Sequence, residues 1–152
     1  AALATPAGAT VSVNGDLAAA RLTGAVHLPQ GRAVAEARAA LGPDALVGVS
    51  CHSRAEAAAA GAAGADYVTL SPVFATMSKP GYGPALGPDE LAHAARELPL
   101  PVIALGGVYP GNVAACLSAG AAGVAVMGAV MRAPDPGAAT TGLIAVMQGR
   151  RN

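Results

Sequence analysis

The segment Pro101-Val102-Ile103-Ala104-Leu105-Gly106-Gly107-Val108 decides the fold of this chain. An uninterrupted apolar run between a proline and paired glycines predicts a short strand that is buried on both faces. Strands of that kind are typical of a parallel sheet covered by helices on its two sides. We therefore expect an α/β protein.

The rest of the sequence alternates between β-type runs and Ala-rich helical runs. The predicted strands are residues 9–13, 24–28, 45–50, 66–73, 101–105 and 123–130. The predicted helices are residues 17–22, 33–41, 54–63, 88–98, 112–119 and 141–148. Gly42, Gly64 and Gly120 follow Ala-rich helices, where a left-handed C-cap favours glycine.

Repeated βα units predict either a barrel or a doubly wound sheet. No GxGxxG motif follows the first strand, which disfavours the dinucleotide-binding fold. We predict a (β/α)8 barrel of the TIM type, with residues 1–152 forming a single, partial domain. Only about six units are visible where a closed barrel needs eight, so roughly the first two βα units are expected to be absent from this chain.

Composition narrows the class of protein. The 152 residues are 53% hydrophobic, the mean hydropathy is +0.48, and the formal net charge is +0 with 12% charged residues. A nucleic-acid partner is not expected without a basic stripe, and a membrane partner is not expected without a long apolar run. The two cysteines, Cys51 and Cys116, are too few for a disulfide framework. We expect a cytoplasmic protein.

Polar residues and glycines recur at the carboxyl ends of the predicted strands, where parallel barrels carry their active sites. Gly106 and Gly107 offer backbone N–H groups to a phosphate without a Cβ in the way, although a tight turn alone also explains them. Met127 and Gly128 would supply the other half of this site. The sequence predicts a phosphate-binding site between these two strand ends.

A long loop after the fourth strand carries Thr76, Ser78 and Lys79. A lysine is usually a solvated surface residue, but loops of this length in a compact domain are more often functional. We expect the lysine and the two hydroxyls to close over the anion.

Two histidines follow strands and could move a proton near neutral pH, namely His27 and His52. A structural role is as plausible for each of them. Cys51 is better explained by packing than as a nucleophile. Asp16 is expected to cap the helix that begins at Leu17 rather than to bind a metal, because no second carboxylate follows a strand. No metal site is predicted.

Together these motifs resemble the thiamin phosphate synthase/TenI family of (β/α)8 barrels over about Val11 to Pro136. The motifs that carry the resemblance are Val26-His27-Leu28-Pro29-Gln30, Gly48-Val49-Ser50, Asp66-Tyr67-Val68, Ser71-Pro72-Val73-Phe74, Thr76-x-Ser78-Lys79, Pro101 to Val108, and Gly123-Val124-Ala125-Val126-Met127.

The resemblance implies roles for several residues. Thr76, Ser78, Lys79, Gly106 and Gly107 would contact the substrates and the thiazole phosphate. The backbone at Met127 and Gly128 would join them, and Asn14 and Ser50 would make polar ligand contacts. It also implies a phosphorylated thiazole as ligand and a homodimer as the assembly.

The chain departs from the synthases of that family at two positions. Synthases hold Mg²⁺ with one Asp after the strand-end Asn and another after the His-Leu-Gly-Gln motif, where this chain has Gly15 and Arg32. The expected function is therefore a TenI-like thiazole tautomerase, an isomerase that moves one proton with no cofactor. The TenI catalytic histidine falls where this chain has Pro72, so His27 or His52 would have to carry the proton.

Three alternatives stay open. The first is thiamin phosphate synthase, a transferase that uses Mg²⁺ to join a pyrimidine pyrophosphate to the thiazole phosphate. The second is a non-catalytic paralogue that binds thiazole phosphate. The third is a phosphosugar isomerase barrel, which the absence of a strand-end Glu disfavours.

Overall fold

Six parallel strands alternate with helices in the computed structural model, which describes residues 8–76 and 83–149. The strands are β1 (Val13–Asn14), β2 (Ala25–Leu28), β3 (Leu46–Cys51), β4 (Tyr67–Leu70), β5 (Val102–Leu105) and β6 (Gly123–Ala125). The helices are α1 (Leu17–Ala20), α2 (Val34–Leu41), α3 (Arg54–Ala62), α4 (Gly87–Glu97), α5 (Val113–Ser118), α6 (Gly128–Met131) and α7 (Pro136–Gln148).

The strands lie side by side in the order in which they occur along the chain, from β1 to β6. A doubly wound sheet would reverse its order at a switch point, whereas a barrel wall runs in sequence order. The predicted fold class, an α/β fold of the TIM-barrel type, is confirmed.

One face of the sheet forms the hydrophobic core with the helices. Val26 pairs with Val47 and Val68 pairs with Val102, and all four side chains are at most 2% exposed. The helices meet this face mainly with alanines, such as Ala37, Ala57 and Ala94, which are fully buried. Small side chains let the helices approach closely, which explains how a chain with 3% aromatic residues packs a core.

Because side chains alternate along a strand, the opposite face carries a different set of residues. His27 lies in register with Gly48, and Ser50 with Thr69. This face therefore presents the polar side chains of the central strands.

Arg38 of α2 forms a hydrogen-bond network at the amino-terminal ends of the strands. Its guanidinium donates to the Gly64 carbonyl at 2.8 Å and to Asp66 Oδ2 at 2.8 Å, and it also donates to the Ala45 carbonyl. Asp66 Oδ2 in turn accepts from the Val47 amide at 2.6 Å. This network lies opposite to the strand ends that the sequence predicts to be functional.

Four predicted boundaries were wrong by three residues or more. The fourth strand ends at Leu70 rather than at residue 73. The last strand ends at Ala125 rather than at residue 130, and Gly128–Met131 is the short helix α6. Helix α7 begins at Pro136 rather than at residue 141, because Asp135 caps it by accepting from the Ala138 amide at 2.9 Å. The first strand is Val13–Asn14 rather than residues 9–13. A short apolar run does not by itself distinguish a strand from a helix, which accounts for the error after Ala125.

The three predicted cap glycines are confirmed, since Gly42, Gly64 and Gly120 have φ values of 92°, 91° and 91°. Within residues 8–76 and 83–149, no helix combines the length and the hydropathy that a membrane span requires.

Candidate functional site

A cavity of about 240 Å³ opens at the carboxyl ends of β5 and β6. Its walls come from three strand ends and the segments that follow them. The lining residues are Ser71, Pro72, Thr76, Leu105, Gly106, Gly107, Val108, Ala125, Val126, Met127, Gly128, Ala129 and Arg132. The structure thus brings together five residues that the sequence predicted to bind phosphate, namely Thr76, Gly106, Gly107, Met127 and Gly128.

Gly106 and Gly107 line this cavity in the left-handed conformation, with φ values of 92° and 64°. They also pack against the segment that follows β4, because the Phe74 amide donates to the Gly106 carbonyl at 3.0 Å. A Cβ on Gly107 would lie 2.8 Å from Phe74 Cβ and would overlap the Ala75 carbonyl oxygen. These glycines therefore line the cavity and are also required by the packing around them. The sequence did not indicate the packing requirement.

Arg132 is a cavity residue that sequence reasoning missed. It follows α6 as its C-cap, and its guanidinium lies against Gly128, where a Cβ would be 2.6 Å from Arg132 Cζ. The glycine thus gives the side chain room to reach the cavity. A cation four residues after Gly128, which the sequence predicted to bind the phosphate, was the available indication.

His27 is the centre of a polar cluster on the sheet face opposite the core. Its Nε2 lies 2.9 Å from Ser50 Oγ and 3.4 Å from Thr69 Oγ1, and its Nδ1 lies 3.2 Å from the Tyr67 hydroxyl. The His27 and Tyr67 rings stack with centroids 5.6 Å apart. Burial lowers the pKa of His27 below its usual 6.5, which keeps the ring neutral at pH 7.

His52 belongs to a separate hydrogen-bond cluster at the next strand end. Its Nδ1 lies 2.9 Å from the Ser71 carbonyl oxygen and 3.2 Å from Ser71 Oγ. The carboxylate of Glu56 accepts from the His52 amide at 2.7 Å and from Gln30 Nε2 at 2.8 Å. Glu56 thus ties the segments after β2 and β3 together, a role that the sequence did not reveal.

The end of β1 does not provide the carboxylate pair that the resemblance implies for Mg²⁺. Asn14 is exposed there, Gly15 has no side chain, and Arg32 is a cation. Asp16 Oδ1 caps α1 by accepting from the Ala18 and Ala19 amides at 2.9 and 3.0 Å, which confirms its predicted role. Across residues 8–76 and 83–149, no group of three or more His, Cys, Asp or Glu side chains could hold a metal ion. At the two positions that the resemblance assigns to the Mg²⁺ carboxylates, this chain has Gly15 and Arg32.

Both cysteines pack in the core, with exposures of 1% for Cys51 and 0% for Cys116. Burial, together with the charge of Glu56, raises the pKa of Cys51 to about 11. A nucleophilic thiolate is thereby disfavoured. Ser78 and Lys79 lie outside the described residues.

The chain is similar in sequence to proteins named thiamine-phosphate synthase. The family model for thiamine monophosphate synthase matches residues 1–130. A bifunctional ThiM/ThiE protein of thiamine biosynthesis from Symbiobacterium thermophilum is 48% identical over 90% of this chain and 29% of its own length. A putative thiamine-phosphate synthase from Geobacter sulfurreducens is 46% identical over 89% of this chain and 64% of its own length.

A solved structure agrees with these relatives. The thiamine phosphate pyrophosphorylase from Pyrococcus furiosus superposes with a TM-score of 0.86 at 28% identity, over 97% of this chain and 72% of that chain. The present chain spans less than two thirds of the length of the two relatives named above.

These comparisons overturn the main functional hypothesis from the sequence, a TenI-like thiazole tautomerase of the isomerase class. Further relatives that are 44–46% identical over most of the chain are also named thiamine-phosphate synthase. The hypothesis was wrong because it gave two substituted positions, Gly15 and Arg32, more weight than the pattern of the whole chain. The alternative that the sequence left open, the synthase, is the better supported of the two. The chain belongs to the thiamine monophosphate synthase family.

Proposed function

We propose that this chain forms the thiazole-phosphate side of a thiamine-phosphate synthase, an enzyme that joins a pyrimidine pyrophosphate to a thiazole phosphate with release of pyrophosphate. The observation that carries the proposal is the cavity at the ends of β5 and β6. In barrels of this type, the segments after the last two strands are the usual phosphate site. The names of the relatives support the choice of reaction.

The cavity has the groups that an anchored phosphate needs. Arg132 supplies a guanidinium, which forms strong charge-assisted hydrogen bonds with phosphate oxygens. Gly106, Gly107 and Gly128 contribute backbone to the walls of the cavity. Thr76 adds a hydroxyl at the third wall, and Ser78 and Lys79 follow it in the sequence. We propose that these residues hold the phosphate of the thiazole substrate.

His27 and Ser50 are proposed to contact the polar ring atoms of the second substrate. They lie 2.9 Å apart on the open face of the sheet, between the exposed end of β1 and the cavity. Because the pKa of His27 is lowered, the ring is a neutral hydrogen-bonding group rather than a cation at pH 7. Asn14, beside His27 in the register of β1 and β2, completes this polar row.

Catalysis is tested with the chain, pyrimidine pyrophosphate and thiazole phosphate, and the thiamine phosphate formed is quantified by chromatography. The assay is run with and without Mg²⁺, because the described residues lack the carboxylate pair and the prediction that no cofactor is needed stays open. Binding of thiazole phosphate alone is measured by calorimetry.

The matched variants are Arg132→Gln and Arg96→Gln. Arg96 is an exposed arginine in the last turn of α4, away from the cavity. Loss of a hydrogen bond to a charged group costs about 1.5–3 kcal/mol, so Arg132→Gln should weaken thiazole phosphate binding by about tenfold to a hundredfold. Arg96→Gln should leave it unchanged.

Two results would contradict the proposal. If thiazole phosphate binds but no thiamine phosphate forms at any Mg²⁺ concentration, the chain is a binding paralogue. If Arg132→Gln binds thiazole phosphate as tightly as the unchanged chain, the phosphate lies elsewhere.

The cytoplasmic location and the homodimer stay predictions.

A further inference from the structure

Tyr67 contacts His27 directly and has no role in the function proposed above. Its hydroxyl lies 3.2 Å from His27 Nδ1, and its ring stacks on the imidazole with an interplanar angle of 27°. The other ring nitrogen, Nε2, faces the hydroxyls of Ser50 and Thr69. Ser50, Thr69 and Tyr67 each contact the imidazole through a hydroxyl, which can donate or accept a hydrogen bond. The proton of the neutral ring can therefore lie on Nδ1 or on Nε2.

Donor strength decides between the two arrangements. A phenol, with a pKa near 10, is a better proton donor and a poorer acceptor than the aliphatic hydroxyls of serine and threonine. This difference favours the arrangement in which the Tyr67 hydroxyl donates to the ring and Nδ1 accepts. The single proton of the neutral imidazole then resides on Nε2 and points at Ser50.

Gly48 makes this arrangement possible. It lies in register between His27 of β2 and Tyr67 of β4. The Tyr67 ring crosses directly above it, since a Cβ on residue 48 would lie 2.5 Å from both Cε1 and the hydroxyl oxygen of Tyr67. Gly48 has no positive φ, so its missing side chain matters for space alone. Because residue 48 has no side chain, the Tyr67 ring can lie across β3 and reach His27.

We propose that Tyr67 is a positioning residue that fixes the ring orientation and the tautomer of His27, so that Nε2–H is a hydrogen-bond donor on the substrate side. The burial of His27, which lowers its pKa, agrees with a neutral ring held by two neighbours. With its Nε2–H directed at Ser50 Oγ, His27 holds the Ser50 hydroxyl in place on the substrate side and does not act as a general base. The consequence for turnover rests on the proposed synthase function, whereas the tautomer does not.

The first measurement is the tautomeric state of His27 in the full chain. The three histidines are labelled with ¹⁵N, and long-range ¹H–¹⁵N spectra are recorded at pH 8. The His27 signals are those that disappear in His27→Gln. We expect the Nε2–H tautomer in the unchanged chain and a mixture of both tautomers in Tyr67→Phe, which loses only the hydroxyl.

The second measurement is turnover. Tyr67→Phe should lower kcat by about tenfold to a hundredfold with little change in KM for thiazole phosphate, because the phosphate cavity is untouched. Gly48→Ala should produce the same two changes by displacing the tyrosine ring. Tyr109→Phe, at a tyrosine that is 54% exposed, is the matched control and should change neither quantity.

An Nδ1–H tautomer in the unchanged chain, or identical His27 spectra in Tyr67→Phe, would overturn the proposal. A changed tautomer with unchanged kcat would overturn the positioning role in catalysis. If the unchanged chain makes no thiamine phosphate, the synthase proposal fails, and the spectra still decide whether Tyr67 sets the tautomer. Melting curves of each variant show that the fold is retained.

Discussion

Replacement of Gly107 by alanine separates the two explanations for the paired glycines, namely phosphate access and packing. The residue has a φ of 64°, and its missing Cβ faces Phe74 and Ala75 at the start of the segment that follows β4. Those neighbours are largely backbone, which cannot rotate away as a flexible side-chain end can. We therefore expect a loss of folding stability even in the absence of ligand.

The magnitude has two parts. A left-handed backbone costs a residue with a Cβ about 1–2 kcal/mol, and overpacking against fixed neighbours costs about 1–3 kcal/mol. Gly107→Ala should therefore lower the free energy of unfolding by about 2–5 kcal/mol. Gly24→Ala is the matched control, because Gly24 has a φ of 69° and no atom within 4 Å of the added Cβ. Gly24→Ala should show only the cost of the left-handed backbone, about 1–2 kcal/mol.

The assay is urea denaturation followed by circular dichroism, with both variants and the unchanged chain at the same protein concentration. Equal losses in Gly107→Ala and Gly24→Ala would refute the packing argument, since only the backbone conformation would then matter. Unchanged stability together with weaker thiazole phosphate binding would show that the glycine serves the ligand alone. A displaced β4 segment should weaken that binding as well, because Thr76 lies in it.

Three further predictions concern stability. Arg38→Ala should destabilise the chain by about 0.5–1.5 kcal/mol in urea denaturation, because the partly buried Ala45 carbonyl and the exposed Gly64 carbonyl and Asp66 carboxylate each lose a donor. Asp16→Ala should cost about 0.5–2 kcal/mol by removing the cap of α1, with Asp16→Asn close to the unchanged chain. The lowered pKa of His27 means that the unfolded chain binds more protons below pH 6.5, so stability should fall as pH drops below that value and the fall should be shallower in His27→Gln.

A specific result would contradict each of these three stability predictions. An unchanged urea midpoint in Arg38→Ala would mean that water replaces the guanidinium at the sheet edge. A loss in Asp16→Asn equal to that in Asp16→Ala would point to the charge rather than to the cap. Parallel stability curves between pH 5 and pH 8 for His27→Gln and the unchanged chain would show that His27 does not resist protonation.

Much of the fold could be predicted from local sequence. The alternation of apolar runs with Ala-rich runs located six strands, and the glycines at 42, 64 and 120 located helix ends, because these features depend on side-chain periodicity and on backbone conformation close in the chain. The error after Ala125 arose because a uniformly apolar run carries weak local information. The error at Pro136 arose because the prediction did not use Asp135 and Pro136, an N-cap followed by proline at the first helical position.

The candidate site was only partly predictable. Strand-end positions picked out Thr76, Gly106, Gly107, Met127 and Gly128, since parallel strands bring their carboxyl ends to one edge. Arg132 was missed because its relation to Gly128 depends on the short helix that replaced the predicted strand. The roles of Tyr67 and Glu56 depend on neighbours that are tens of residues away in the chain.

By itself, the sequence determined the class of fold, the order of the strands and the family resemblance, because hydrophobic periodicity and motif spacing are properties of the chain. Only the tertiary structure decided which residues touch. It placed Tyr67 over Gly48 and against His27, and Gly107 against the segment after β4. It also placed Arg38 against the carbonyls of Ala45 and Gly64 and the carboxylate of Asp66. Such contacts follow from the register of neighbouring strands and the packing between them, and neither is encoded in any single stretch of residues.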